Sequence, residues 1–242
     1  MKKIVSLLLM VSCCIIFCSS VWAENGEYYG FAAGEIGIDV SSHQGEIDWE
    51  RVAQEGIRFV FVRGNTWDKE NWDYIIDSRF EENVREAYEH GIKVGVYLYS
   101  YAINFEEAKR EIDFFFDSPE MKRLQEDSIP FDLPVFIDVE HSVLIEKIPD
   151  NTVRTDLLEY SMELIKNKGY ETGFYTYEAF ASSYLDMKRL IDDGYDFWIA
   201  NYNGGYEENY IPQIWQYTGK GKVSGIDTDV DLNIVFYWFP LF

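Results

Sequence analysis

The sequence predicts an α/β fold: a TIM-like barrel of five β/α units followed by three strands, (β/α)5(β)3. Three observations lead there. Short apolar and aromatic runs alternate with helical stretches along most of the chain, the pattern of a mostly parallel sheet. Beyond residue 202 the spacers become too short for packed helices. The strand-like runs number eight, enough to close a barrel.

Residues 36–41 (IGIDVS) read as the first strand. A helix follows at 48–55 (DWERVAQE), with Asp48 as N-cap and Gly56 as its stop. Residues 58–63 (RFVFVR) are the second strand, 65–77 a polar and aromatic loop, and 80–90 a helix closed by Gly91. The third strand is 93–101 (KVGVYLYSY), followed by a helix at 105–116 with apolar residues at helical spacing. After the fourth strand, 133–140, come a long helix at 151–168 closed by Gly169, a fifth strand at 173–177, a helix at 179–191 and a sixth strand at 195–202. The last two runs are 213–218 (QIWQYT) and 227–232. The spacing predicts that the final three strands run up, down and up.

The fourth strand, LPVFIDVE, ends in two acids, Asp138 and Glu140. Side chains at i and i+2 of a strand share a face, which places these two roughly 7 Å apart at Cα. Burying unpartnered carboxylates is costly. Either they belong to a structural ion-pair network, or a raised carboxyl pKa serves acid–base chemistry. Barrels of this type carry their chemistry at the C-terminal strand ends. Asp39 lies near the end of the first strand and Asp231 near the end of the eighth, so a closed barrel gathers four acids at one mouth. Tyr99, Tyr101, Tyr175, Tyr177, Asn201, Tyr202, Trp215 and Tyr217 collect at the same level, a lining suited to a neutral polysaccharide. For each aromatic the alternative is core packing, and it weighs at least equally for Phe197, Trp198 and Trp238.

Composition narrows the partners. Residues 1–23 read as a signal peptide: Lys2 and Lys3, an apolar stretch to Phe17, and small residues before a cleavage point after Ala23. Residues 24–33 follow as a short, flexible lead-in and 34–242 as the barrel. The formal charge is −22, and removing Lys2 and Lys3 with the signal takes it to −24. Such a chain is expected to bind neither nucleic acid nor an anionic membrane. Cys13, Cys14 and Cys18 all lie in the signal, so the secreted chain carries no disulfide and no thiol nucleophile. His43, His90 and His141 lack metal-ligand spacing, and neither a phosphate loop nor a G-x-S-x-G elbow occurs. No metal and no cofactor are expected.

The segments GIDVSSHQGEIDW (37–49), GIKVGVYLYSY (91–101), LPVFIDVE (133–140), GFYTY (173–177), FWIANY (197–202), IWQYT (214–218) and DVDLN (229–233) occur in an order that resembles the glycoside hydrolase family 25 lysozymes, the Chalaropsis-type muramidases. The resemblance implies an enzyme that cleaves the β-1,4 bond between N-acetylmuramic acid and N-acetylglucosamine in peptidoglycan; with the signal segment the chain is expected to be secreted, and it is expected to be a monomer. The resemblance makes Glu140 the general acid, Asp138 its partner, and Asp39 and Asp231 flanking carboxylates. Tyr99, Tyr175, Asn201, Tyr202, Trp215 and Tyr217 are the expected sugar contacts. Two stretches depart from the family pattern. Arg63-Gly64-Asn65-Thr66-Trp67 stands where many members have Ala-Thr-Glu-Gly, and Tyr97-Leu98-Tyr99 where many have Tyr-His-Phe. A chitinase-like barrel also ends its fourth strand in Asp-x-Glu, but has further acids upstream where this chain has Phe136 and Leu133. A non-catalytic glycan-binding protein on the same scaffold is the other alternative.

Overall fold

The computed structural model describes residues 28–68, 70–71, 73–204 and 211–236. The expected signal peptide, the cysteines and Trp238 lie outside these residues. One sheet contains β1 (Ile36–Val40), β2 (Phe59–Asp68), β3 (Asp73–Ile76), β4 (Lys93–Tyr99), β5 (Val135–Asp138), β6 (Thr172–Tyr177), β7 (Asp196–Ala200), β8 (Ile214–Gly221) and β9 (Val230–Val235). Its order is β1-β9-β8-β7-β6-β5-β4-β2, with β1 pairing β2 to close an eight-stranded barrel and β3 attached outside as a hairpin on β2.

The direction of the last strands differs from expectation. β8 runs parallel to β7, and β9 runs antiparallel to both β8 and β1. The sequence is therefore up, up, down. The span 201–213 is long enough for a parallel crossover, whereas 222–229 only turn the chain back. The hairpin β2–β3 likewise replaces the expected loop at 65–77.

Eight helices of the described residues coat the barrel: α1 (Trp49–Gln54), α2 (Phe80–Glu89), α3 (Phe105–Phe116), α4 (Pro119–Glu126), α5 (Ser142–Lys147), α6 (Asn151–Asn167), α7 (Glu178–Tyr184) and α8 (Met187–Asp192). Asp48 caps α1 by accepting the Arg51 N–H at 3.2 Å, as expected. The single helix expected over 179–191 is two. Leu185 is extended and Asp186 restarts the helix by capping the Arg189 N–H at 3.1 Å. α4 had not been expected, although Ser118-Pro119 is a helix start, with Ser as cap and Pro at the first position.

Strand alternation divides the core. Val60, Val62, Val94, Val96, Val135 and Ile137 face the helices, while Phe59, Phe61, Phe136, Tyr175 and Trp198 fill the barrel. Glycine makes room for these rings: a Cβ on Gly37 would sit 2.3 Å from the Phe59 ring, and one on Gly95 2.4 Å from Phe61. The expectation of a flexible lead-in does not hold for its described part. Tyr28 and Phe31 are buried against this interior cluster, and the Tyr28 hydroxyl donates to Asp196 Oδ2 at 3.0 Å. They plug the end of the barrel opposite the acids.

Candidate active site

The parity of each strand decides what enters the mouth. On β5, Val135 and Ile137 face the helices, so Phe136 and Asp138 point inward. Glu140 lies beyond the strand end, but the pairing continues: Ser100 N–H donates to the Asp138 carbonyl and Val139 N–H to the Tyr175 carbonyl, each at 2.9 Å. Val139 joins the outer layer, and Glu140 therefore keeps the inward side with Asp138. Asp39 follows Gly37 on the inner face of β1. β9 runs backwards, so Asp231, near its start rather than its end, still reaches the same mouth. Asp39 and Asp231 are direct cross-strand partners.

Four carboxylates gathered at one mouth cannot all ionise freely. Burial pushes Asp39 upward, Asp231 opposite adds to it, and Glu140 contributes further. Burial likewise raises Asp138 well above the carboxylate range, with Glu140 and Asp39 adding repulsion and Arg63 opposing it. Glu140 is raised by burial and then by Asp231, and Asp231 chiefly by burial. Asp138 Oδ1 is buried with no hydrogen-bond partner, so no donor to that oxygen offsets the burial.

An amide network carries Asp39. Its Oδ2 accepts from Gln216 Nε2 at 2.9 Å and Asn233 Nδ2 at 2.8 Å. Gln216 Oε1 in turn accepts from the Tyr175 hydroxyl at 3.0 Å and the Tyr202 hydroxyl at 2.6 Å, and Asn233 Oδ1 accepts from the Trp198 indole at 2.8 Å. A second anchor is Arg63, whose guanidinium holds Asp77 at 2.6 Å, while the Ser42 N–H donates to the same carboxylate at 2.9 Å. Sequence reasoning passed over Gln216, Asn233 and Arg63. The signal was parity: Asn233 is i+2 from Asp231, and Arg63 is i+2 from Phe61.

Glu140, Tyr175, Tyr177, Asn201 and Tyr202 line a cleft of about 670 Å³. Tyr99 stands across from it, paired with Asp138 between β4 and β5. Trp215 and Tyr217 were expected here and are not. They flank the inward Gln216 and so take the outer face of β8, where their rings lie 6.1 Å apart and the Trp215 indole donates to the Asn201 carbonyl at 2.9 Å. A larger hollow of about 800 Å³ lies outside the helix layer between Tyr74 and Glu120. Its Arg110 and Asp113 are already ion-paired, with Asp73 and with Lys109 and Lys168. Among the described residues no group of His, Cys, Asp and Glu is arranged to hold a metal, and no helix is long and apolar enough to cross a membrane.

Raised carboxylates gathered at the C-terminal mouth of an α/β barrel, with Glu140 opening into a cleft bordered by tyrosines, form the layout of a barrel glycosidase. The chain belongs to the glycosyl hydrolases family 25, whose family model matches residues 38–226. It is similar to Lysozyme M1 of Streptomyces globisporus, 25% identical over 83% of this chain and 67% of that protein. Its fold matches the lysozyme of Streptomyces coelicolor with a TM-score of 0.66 at 24% identity, covering 85% of this chain and 93% of that one. The modular autolysin LytC of Streptococcus pneumoniae, solved with a synthetic peptidoglycan ligand, matches with a TM-score of 0.67 at 24% identity over 85% of this chain. This chain spans 47% of the LytC structure, about half.

Proposed function

We propose that the protein is a secreted, monomeric N-acetylmuramidase that hydrolyses the β-1,4 bond between N-acetylmuramic acid and N-acetylglucosamine in peptidoglycan, with residues 1–23 removed on export. The observation that carries this reading is the row of four raised acids beside a cleft edged by tyrosines. Family membership, the lysozyme relative and the peptidoglycan complex of LytC support it.

Glu140 gives its proton to the bridging oxygen as the bond from that oxygen to C1 breaks, so the leaving sugar departs as a neutral alcohol. Burial and Asp231 keep that proton in place. Asp138 Oδ1 has no hydrogen-bond partner and is covered; a turn of the side chain toward the cleft on glycan binding brings it to the acetamido N–H of the sugar, from which it accepts. A hydrogen bond there stabilises the ionised form of Asp138 and orients the acetamido oxygen toward C1. Water finally adds its hydroxyl at C1 and returns a proton to Glu140. Asp39, held by Gln216 and Asn233, and Asp231 keep the protons of the row shared.

Glu140→Gln retains the shape and removes the proton. Turnover on peptidoglycan should fall by ~10² to 10⁴ while the variant folds and binds glycan fragments as before. A variant within about threefold of wild type would place the proton donor elsewhere.

A further inference from the structure

The acids divide the mouth in two. Asp39 and Asp231 stand on β1 and β9, Asp138 and Glu140 at the end of β5, and the closed strand order puts β2 and β4 on one side of that line and β6 and β7 on the other. The cleft with Tyr177 and Tyr202 occupies the β6–β7 side. Opposite it, β2 and β3 carry Trp67 on their hairpin, Tyr99 and Tyr101 lie at the end of β4, and His141 follows Glu140. These rings form a chain. Trp67 lies 5.5 Å from Tyr101, Tyr101 4.9 Å from Tyr99 and 5.1 Å from His141, and Tyr99 6.1 Å from His141. All four keep part of their surface in solvent.

The bank is braced from behind. Glu111 on α3 is 1% exposed; it accepts the Tyr101 N–H at 3.0 Å and the Ser100 hydroxyl at 2.8 Å, and Asn65 Nδ2 reaches it at 3.5 Å. One buried carboxylate thus ties the ends of β2 and β4 to the same helix. The Tyr74 ring meets Trp67 edge-on at 5.1 Å, and the Arg110 guanidinium lies 5.1 Å over Tyr74. Rings fixed in this way lose little freedom when a ligand stacks on them.

We propose that Trp67, Tyr101 and His141, with Tyr99, form a second subsite that stacks on the apolar face of a neutral N-acetylated sugar of the glycan strand, across the acids from Tyr177 and Tyr202. The inference rests on the glycan reading of the cleft. A polymer cut at Glu140 extends to both sides of the bond that breaks, and each side of the acid row then offers it a wall of rings. A wall of this kind, beside four carboxylates, suits a neutral ring better than an anionic one.

The test uses the full chain and N-acetylglucosamine oligomers as probe. Trp67→Ala and Tyr101→Ala should weaken hexamer binding about tenfold in the Glu140→Gln background, with Trp67→Phe and Tyr101→Phe restoring most of it. In otherwise wild-type protein the Ala variants should raise KM on soluble glycan strands by a similar factor and leave kcat within about threefold. Unchanged hexamer affinity in folded Ala variants would overturn the proposal. Should they fail to fold, the Trp67 indole resonance in Glu140→Gln decides: it should shift on adding hexamer, and a resonance unmoved at saturation would overturn the subsite. A wild-type protein that releases nothing from peptidoglycan would sink the hydrolase reading, and the binding titration would still decide the subsite.

Discussion

At Asp138 a buried oxygen has no hydrogen-bond partner while Glu140 and Asp39 repel its charge. The sign of the linkage follows. A carboxyl raised in the folded state stabilises the fold below its unfolded pKa, and that stability is lost as pH rises through the folded value. Asp138→Asn removes the loss, so at pH 8 the variant should melt above wild type by about 2–4 °C for each kcal/mol relieved. Its turnover should nonetheless drop by ~10² or more, and the double variant with Glu140→Gln should be little worse than the poorer single one. Calorimetry and turnover on the three variants check this; additive losses in turnover would mean that the two acids act independently. The four acids were legible from strand-end position and parity. The proton preference was not, because it depends on which oxygens find donors, and only the folded site determines that. Parity also explains the missed contacts: Gln216 turns inward, so its aromatic neighbours Trp215 and Tyr217 cannot.

Single elements show how narrowly the mouth is set. Gly95 on β4 faces the Phe61 ring, and the Cβ of an alanine there would also lie 2.9 Å from Leu133 Cβ. Gly95→Ala should therefore cost ~1–3 kcal/mol in denaturant unfolding. Stability equal to wild type would show that the interior yields to an added methyl. The strand–helix alternation could be read because strands and helices differ in hydrophobic period. The direction of β8 and β9 could not, since spacer length alone does not distinguish a crossover from a turn. Two errors cancelled there: Asp231 was placed near the end of a rising strand and stands near the start of a descending one. Both arrangements put it at the mouth.

Over the whole molecule the raised acids set the response to pH. Burial lifts Glu111 from 4.5 to about 7 and Asp196 from 3.8 to about 6, in addition to the four acids of the mouth. Their combined linkage makes stability fall as pH rises from about 5 to 8, against the usual plateau. Glu111 alone should account for a loss on the order of 3 kcal/mol across its window. Melting curves should show this decline, and Glu111→Gln should flatten it between pH 4.5 and 7; an unchanged slope would mean that Glu111 ionises as freely folded as unfolded. The chemical claim is tested most directly by the sugar at the new chain ends. Purified peptidoglycan digested with the wild-type protein, reduced and hydrolysed, should yield the alcohol of N-acetylmuramic acid as the new reducing-end product. The alcohol of N-acetylglucosamine, or no new ends at all, would contradict the account.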